Sequence, residues 1–306
     1  MKHFYVLSIF LFFNFNSFLA NDYIVNSFDN HSIHGTLIES KKTNSDLAII
    51  ISGSGPTDRD GNNAALKSDY LKLLAEGLIQ NEISSFRYDK RGVGKSIGNL
   101  KNSSDIKFSD YISDAITIIN HFKESKKFKK IIVIGHSEGA LIGIIASKSI
   151  ADLLISIAGA GEDYLTLIER QLSFQPAYIQ SLSSPIIENL KAKKLVDSVP
   201  PILNSLFRPS VQNFLIEASS YNPAIEISKL NIPVLIIQGN TDIQIEVNDA
   251  QILHKAAKLS KLEIIDGMNH VFRQASENRL LNLQTYGNPD LPIDKSLVNI
   301  ISDFIN

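Results

Sequence analysis

The 306-residue chain contains no cysteine. That excludes a disulfide framework, a cysteine-ligated zinc or iron–sulfur centre, and a cysteine nucleophile. It leaves the redox compartment open, because a chain without thiols is indifferent to it. An excess of one charge is also lacking: 30 Lys and Arg stand against 32 Asp and Glu, a formal net charge of −2. A nucleic-acid partner needs a basic face to meet its phosphates, so none is expected. The local run Lys123–Lys130 (KESKKFKK) reads as a solvated loop before a buried strand. No internal repeat or low-complexity tract interrupts the chain. Apolar residues make up 44% and charged residues 20%. That is an ordinary globular balance, enough for one large α/β domain or a domain with an insertion.

The N-terminus carries the longest apolar stretch. Met1-Lys2-His3 is a positive start, Phe4 to Phe15 is apolar apart from Ser8 and Asn14, and Ser17-Phe18-Leu19-Ala20 leads into polar Asn21-Asp22. This is the layout of a secretory signal peptide. The apolar core is shorter than the roughly 20 residues that span a bilayer. With no cysteine after the cut there is no site for a lipid anchor. Residues 1–20 are expected to be a leader, and the protein is expected to be exported, periplasmic or secreted, without stable membrane insertion once the leader is removed. An uncleaved leader acting as an anchor is the alternative.

Beyond the leader, Tyr23–Glu39 alternates polar and apolar residues about Asp29-Asn30, which predicts a β-hairpin. Leu47–Ile51 is a continuous apolar run, as in a strand covered on both faces, and ends in Ser52-Gly53-Ser54-Gly55-Pro56. Helical spacing follows in Leu66–Ile79, Phe108–Phe122, Leu141–Ile150, Val247–Leu259 and Ser296–Ile305. Short strands are predicted at Ile83–Tyr88, Ile131–Ile134, Leu153–Ala158, Pro233–Gln238 and Leu262–Asp266. Alternating strands and helices imply a mostly parallel central sheet with helices on both faces. From about Gly161 to Leu230 the alternation stops. Pro176, Pro185, Pro200-Pro201, Pro209 and Pro223 divide that stretch. It reads as a helical cap inserted into a domain spanning residues 21–306.

Gly135-His136-Ser137-Glu138-Gly139 matches G-x-S-x-G between a buried strand and a helix. The pentapeptide is weak alone, but this context is the one in which the motif lifts a serine hydroxyl above the sheet at a helix N-terminus. A serine hydroxyl needs a base within reach, and in this motif's fold the order is Ser, acid, His. Asp242 follows the strand Pro233–Gln238, and His270 follows Leu262–Asp266. Both fall at C-terminal strand edges, where open α/β sheets place their sites. Taken singly, Asp242 is a plausible turn former and His270 a plausible loop histidine; the three in order are the stronger reading. Asp249 and Asp266 are rival acids, less well placed. His136 reads as a packing residue, and His3, His31, His34, His121 and His254 as surface or structural residues.

Acyl transfer places negative charge on a carbonyl oxygen, which two backbone N–H groups must meet. Glu138 N–H, just after the nucleophile, and Ser54 N–H, in the glycine-rich loop after Leu47–Ile51, are the candidates. That loop lacks the lysine of a phosphate-binding P-loop. Asp58-Arg59-Asp60 and Asp89-Lys90-Arg91 read as ion pairs holding loops. Glu162 and Glu169 are candidates for binding a substrate ammonium, with solvated charge the favoured reading.

Ile51–Asn62 (ISGSGPTDRDGN), Phe86–Ser96 (FRYDKRGVGKS), Ile134–Gly143 (IGHSEGALIG), Gln238–Asp242 and Gly267–His270 together resemble the bacterial α/β-hydrolases grouped with S33 serine aminopeptidases and dienelactone-hydrolase-like esterases. The family often has His-Gly where this chain has Ser52-Gly53. The resemblance implies an α/β-hydrolase fold and a serine hydrolase that needs no cofactor or metal. Cleavage of a small-molecule acyl ester is the first reading. Aminopeptidase or amidase activity with the same triad, or a non-catalytic binding protein on this scaffold, are the others. N-terminal sequencing of the protein from the exported fraction is expected to begin close to Asn21; intact Met1 on soluble cytoplasmic protein would contradict the leader.

Overall fold

The computed structural model describes residues 20–98, 100 and 103–306. Apart from Ala20, the leader lies outside the described residues. Strands β1 (Ala20–Asn26) and β2 (Ser32–Ile38) form the hairpin, and Asn30 turns the chain with φ 64°. There follow β3 (Leu47–Ile51), α1 (Tyr70–Gln80), β4 (Ser84–Tyr88), α2 (Phe108–Glu124), β5 (Ile131–His136), α3 (Glu138–Ala146) and β6 (Leu153–Ile157). Five helices come next: α4 (Tyr164–Ser173), α5 (Ala177–Lys191), α6 (Asn204–Phe207), α7 (Pro209–Ser219) and α8 (Pro223–Ile227). The chain closes with β7 (Val234–Gly239), α9 (Val247–Ala256), β8 (Ser260–Ile265), α10 (Arg279–Gln284) and α11 (Lys295–Ile305). Among the described residues no helix is long and apolar enough to cross a membrane.

The eight strands form one sheet in the order β1-β2-β4-β3-β5-β6-β7-β8. β1, β2 and β4 pair antiparallel, and every later pairing is parallel. Strands β3 to β7 are buried along their whole length, which is why β3 and the first parts of β5, β6 and β7 read as apolar runs, whereas β4 (SSFRY) buries two serines and Arg87. Alternate residues feed two cores. Ile132 and Ile134 pack with α1 and α11, while Ile131 and Val133 pack with α2, α3 and α9.

Several element boundaries differ from the periodicity. Leu66 bridges Asn63 instead of opening α1. The helix waits for Tyr70 because Asp69 has φ 57° and the Asn62 side chain accepts from the Ser68 and Asp69 N–H groups. α3 stops at Ala146 in a tight turn, in which Ile150 N–H donates to Ser147 O. The prolines of the inserted segment sit mostly at helix N-termini, where the missing N–H costs nothing. Pro185 lies inside α5 without ending it; it is exposed, so the carbonyl that loses a partner faces solvent. The segment has its own apolar core, including Leu165, Ile168, Ile187, Phe207 and Leu215. Buried Gln212 ties it together by bonding Val196 at both N and O and donating to Phe207 O.

The charged clusters are paired, as their positions suggested. Arg59 donates from backbone and guanidinium to Asp89, and Arg87 to Asp60. Arg91 bridges Asp114 on α2 and Asp29 in the first hairpin. Burial pushes the Asp114 carboxyl up, although Arg91 and Ser27 pull it down. Removing the cation strands that carboxylate. Arg91→Met is expected to cost about 3–5 kcal/mol in urea denaturation, and a loss under about 1 kcal/mol would show that the pair behaves as a surface pair.

Candidate active site

The turn from β5 into α3 carries Ser137 at φ 55°, ψ −120°, a conformation that costs a non-glycine residue about 1–3 kcal/mol. Two hydrogen bonds hold it there: Ser137 N–H to Ile157 O at 3.0 Å, and Ala140 N–H to Ser137 O at 2.9 Å. The flanking glycines are dictated by close approach. A Cβ on Gly135 would fall 2.6 Å from Ala140 Cα, and one on Gly139 would fall 2.6 Å from Ser52 O. The start of α3 therefore lies directly on the backbone leaving β3.

Asp242 follows β7, and its carboxylate gathers four donors. Gln244 N–H (2.7 Å) and Ile245 N–H (3.1 Å) meet Oδ1, while His270 Nδ1 (2.8 Å) and Gln238 Nε2 (3.2 Å) meet Oδ2. A carboxylate only accepts, so Nδ1 of His270 carries a proton towards Asp242. Both side chains are buried, at 6% and 1% exposure. The rival acids are engaged elsewhere. Asp249 binds Arg170 through both oxygens and accepts from Gly161 N–H, and Asp266 accepts from Asn240.

The structure brings His270 against the residue that precedes Ser137. The rings of His136 and His270 lie 4.7 Å apart, and His136 Nε2 contacts His270 O at 2.9 Å. A carbonyl cannot donate, so Nε2 carries the proton and Nδ1 accepts from Tyr70 O–H at 3.0 Å. Burial, then the neighbouring His270, hold His136 well below the ordinary histidine range. Among the described residues the Ser137 hydroxyl hydrogen-bonds to neither histidine; such bonds commonly tighten only around substrate.

Several contributors had no signal in the sequence. Asn269 accepts from Val271 and Arg273 N–H and donates to Asn282 and Thr285. Asn282, on the unpredicted helix α10, also donates to Thr241 O, so it braces the Asp242 and His270 loops together. Ser52, where the family often has histidine, donates to Thr57 O and ties the loop after β3.

Ser137 opens on a cavity of about 420 Å³ between the sheet edge and helices α4, α6 and α7. Ser54 and Glu138 also line it, and neither backbone N–H is bonded within the protein among the described residues. Leu141, Leu167, Ile168, Val211, Phe214 and Leu215 make one side apolar. Of its carboxylates, Glu138 is bonded to Lys90, whereas Glu162 is half-exposed and lies 3.9 Å from Arg170, beyond hydrogen-bond distance. Glu169 pairs with Lys191. Arg208, also on the wall, contacts only Ser210 Oγ and Ser205 O and has no carboxylate partner among the described residues. No group of three or more metal-ligating side chains comes together among the described residues.

This sheet order, with a serine on a strained turn and a His–Asp pair at neighbouring strand ends, defines an α/β hydrolase. Residues 66–274 match the family described as serine aminopeptidase, S33, and the chain belongs to that family. It is 29% identical over 235 residues to Esterase EstD of Thermotoga maritima, covering 73% of this chain and 53% of that protein, so it spans about half its relative's length. Among solved structures, Est1E from Butyrivibrio proteoclasticus with bound ferulic acid superposes with a TM-score of 0.64 at 18% identity, covering 92% of this chain and 97% of that one. The Pyrococcus furiosus esterase Pf2001 superposes with a TM-score of 0.61 at 18% identity, covering 94% and 90%.

Because any side chain at position 139 meets the Ile51 and Ser52 carbonyls, Gly139→Ala must displace α3 from the loop after β3. It is expected to lower stability by about 1–3 kcal/mol and to cut turnover of any ester substrate. A purified variant with unaltered melting and turnover would show that the contact is not rigid.

Proposed function

We propose that the chain is a serine hydrolase that cleaves a carboxylic ester through an acyl-enzyme. The observation that carries this reading is Ser137 on its strained turn at the cavity, together with a buried His270–Asp242 pair whose imidazole packs on His136, the residue before Ser137. In this mechanism Ser137 Oγ attacks the carbonyl carbon as its proton passes to His270 Nε2. Asp242 holds the ring through Nδ1–H and stabilises the imidazolium. The oxyanion meets Ser54 N–H and Glu138 N–H. Collapse breaks the ester bond, and the alcohol leaves with the proton from Nε2. Water, activated by the same base, then releases the acid and restores Ser137.

The cavity's charge favours an ester over an aminopeptidase substrate. Holding an α-ammonium calls for a carboxylate free of cations, yet Glu138 is bonded to Lys90 and Glu162 has the Arg170 guanidinium 3.9 Å away, while Arg208 on the same wall adds a positive charge that is unpaired among the described residues. The apolar wall and a volume of about 420 Å³ suit a small or medium acyl group. A relative named as an esterase is in keeping with this. The α4–α8 segment acts as a cap that sets the choice of substrate, since it supplies much of that wall, including Leu167, Ile168, Val211, Phe214 and Leu215.

Ser137→Ala is expected to abolish turnover and fluorophosphonate labelling, and His270→Ala to cost nearly as much. Asp242→Asn should lower kcat by about 10⁴ by presenting the wrong tautomer. The losses should not add. Asp249→Asn and Asp266→Asn leave the His270 ring untouched and should spare kcat if the fold holds. Activity should fall on acidification, as a protonated base cannot accept. p-Nitrophenyl esters should turn over faster than aminoacyl-p-nitroanilides; the reverse ranking would favour the aminopeptidase reading, and a fully active Ser137→Ala would remove the mechanism.

A further inference from the structure

We propose that Lys90 is a positioning residue for the oxyanion hole: its buried ammonium ties the Gly53 carbonyl to the Glu138 side chain and so aims the Ser54 and Glu138 N–H groups at one point. Lys90 has this role only if Ser137 performs acyl transfer as proposed above. Lys90 Nζ lies 2.6 Å from Gly53 O and 2.6 Å from Glu138 Oε1, and 5.0 Å from the centroid of the Tyr111 ring. The other oxygen of Glu138 accepts from Tyr164 O–H at 2.8 Å. Lys90 and Glu138 side chains are 1% and 2% exposed. Water is thus excluded from the cluster, and each group depends on the others for its hydrogen bonds.

The consequence for Ser54 follows from covalent geometry. Gly53 C=O and Ser54 N–H belong to one peptide plane, and in a trans peptide they point in opposite directions. Anchoring the carbonyl on Lys90 therefore fixes the N–H to face away from it. Gly53 needs such an anchor. A Cβ there would lie 3.2 Å from His136 Nδ1 and 3.3 Å from Ser137 Cβ, so the position is tight enough to favour glycine. Glycine is also the residue least able to hold its own peptide orientation. The ammonium supplies the restraint that the missing side chain cannot. It further polarises the peptide, which strengthens Ser54 N–H as a donor.

Glu138 brings in the second donor. Its N–H is the first of α3, and its side chain is drawn back to Lys90 and Tyr164 and away from the oxyanion position. One ammonium thus couples the loop after β3 to the start of α3. Buried pairs contribute little to stability, because desolvation offsets attraction; their effect is to fix geometry.

The test uses full-length protein, a small p-nitrophenyl ester and a trifluoromethyl ketone that forms a tetrahedral adduct on serine. Lys90→Met alone strands a buried carboxylate, so the decisive variant is Lys90→Met with Glu138→Gln, which removes both charges at similar volume. Cooperative melting and KM should be preserved while kcat falls about 10- to 100-fold, within what losing an oxyanion donor costs. Affinity for the ketone should fall in parallel. If the double variant does not melt cooperatively, Lys90→Arg keeps the charge and changes the reach, and the same split of kcat from KM is expected. A folded variant with wild-type kcat and ketone affinity overturns the clamp while leaving Ser137 as nucleophile. Failure of the wild-type protein to take fluorophosphonate at Ser137 overturns the hydrolase reading and the clamp with it.

Discussion

The site depends on how closely the β5–α3 turn lies against the backbone leaving β3. Gly135 and Gly139 leave no room for a side chain, and Gly53 leaves very little. The approach lets the first N–H of α3 and the loop after β3 face one cavity, with Ser137 between them. It also forces Ser137 into φ 55°, a strain that the flanking strands and helix over-determine. Without that contact the loop after β3 would not stand beside a serine on the same turn.

The loop leaving β4 does the rest with three consecutive charges, each sent to a different place. Asp89 receives Arg59 and the Lys95 N–H; burial raises its carboxyl, but those donors outweigh burial and hold it below the ordinary range. Lys90 turns inward to Gly53 and Glu138, and Arg91 reaches Asp114 and Asp29. One short stretch therefore locks two points of the loop between β3 and α1, the start of α3 and the face of α2 in register. Partial neutralisation by design would not do this, because a buried charge without its partner costs more than the pair contributes. The cluster is rigid for the same reason that it is costly.

What could be read in the sequence follows from this division. Strands buried on both faces leave continuous apolar runs, so the parallel sheet was legible, and so were the strand ends bearing Ser137, Asp242 and His270. Helix boundaries were less so: Leu66 carries helical spacing, but Asn62 and Asp69 impose a turn through side-chain bonds and a positive φ. Helix α10 is short and largely exposed, with little periodicity, and Asn282 matters through bonds that span 13 and 41 residues. Lys90 was read with its neighbours as a loop ion pair. Its partners lie 37 and 48 residues away in sequence, and no pattern at Asp89-Lys90-Arg91 distinguishes the one side chain that turns inward.

The same reasoning bears on substrate choice. Ser137, Asp242 and His270 stand at the ends of sheet strands, whereas α4–α8, which packs around an apolar core of its own, supplies much of the cavity wall. That segment is joined to the sheet domain at a charged seam, where Arg170 on α4 meets Asp249 on α9 at 2.7 Å. Asp249 is fully buried and also caps α9 and holds Gly161 N–H, so the seam fixes where the segment begins. The α4–α8 segment and the sheet thus rest on separate apolar cores joined at that seam. The His270–Asp242 pair is held by Gln238 on β7, by the Gln244 and Ile245 N–H groups and by His136 on β5, and α4 reaches the same loop where Gln171 donates to Gln244 O, so a change in the α4–α8 core can reach the pair through that loop.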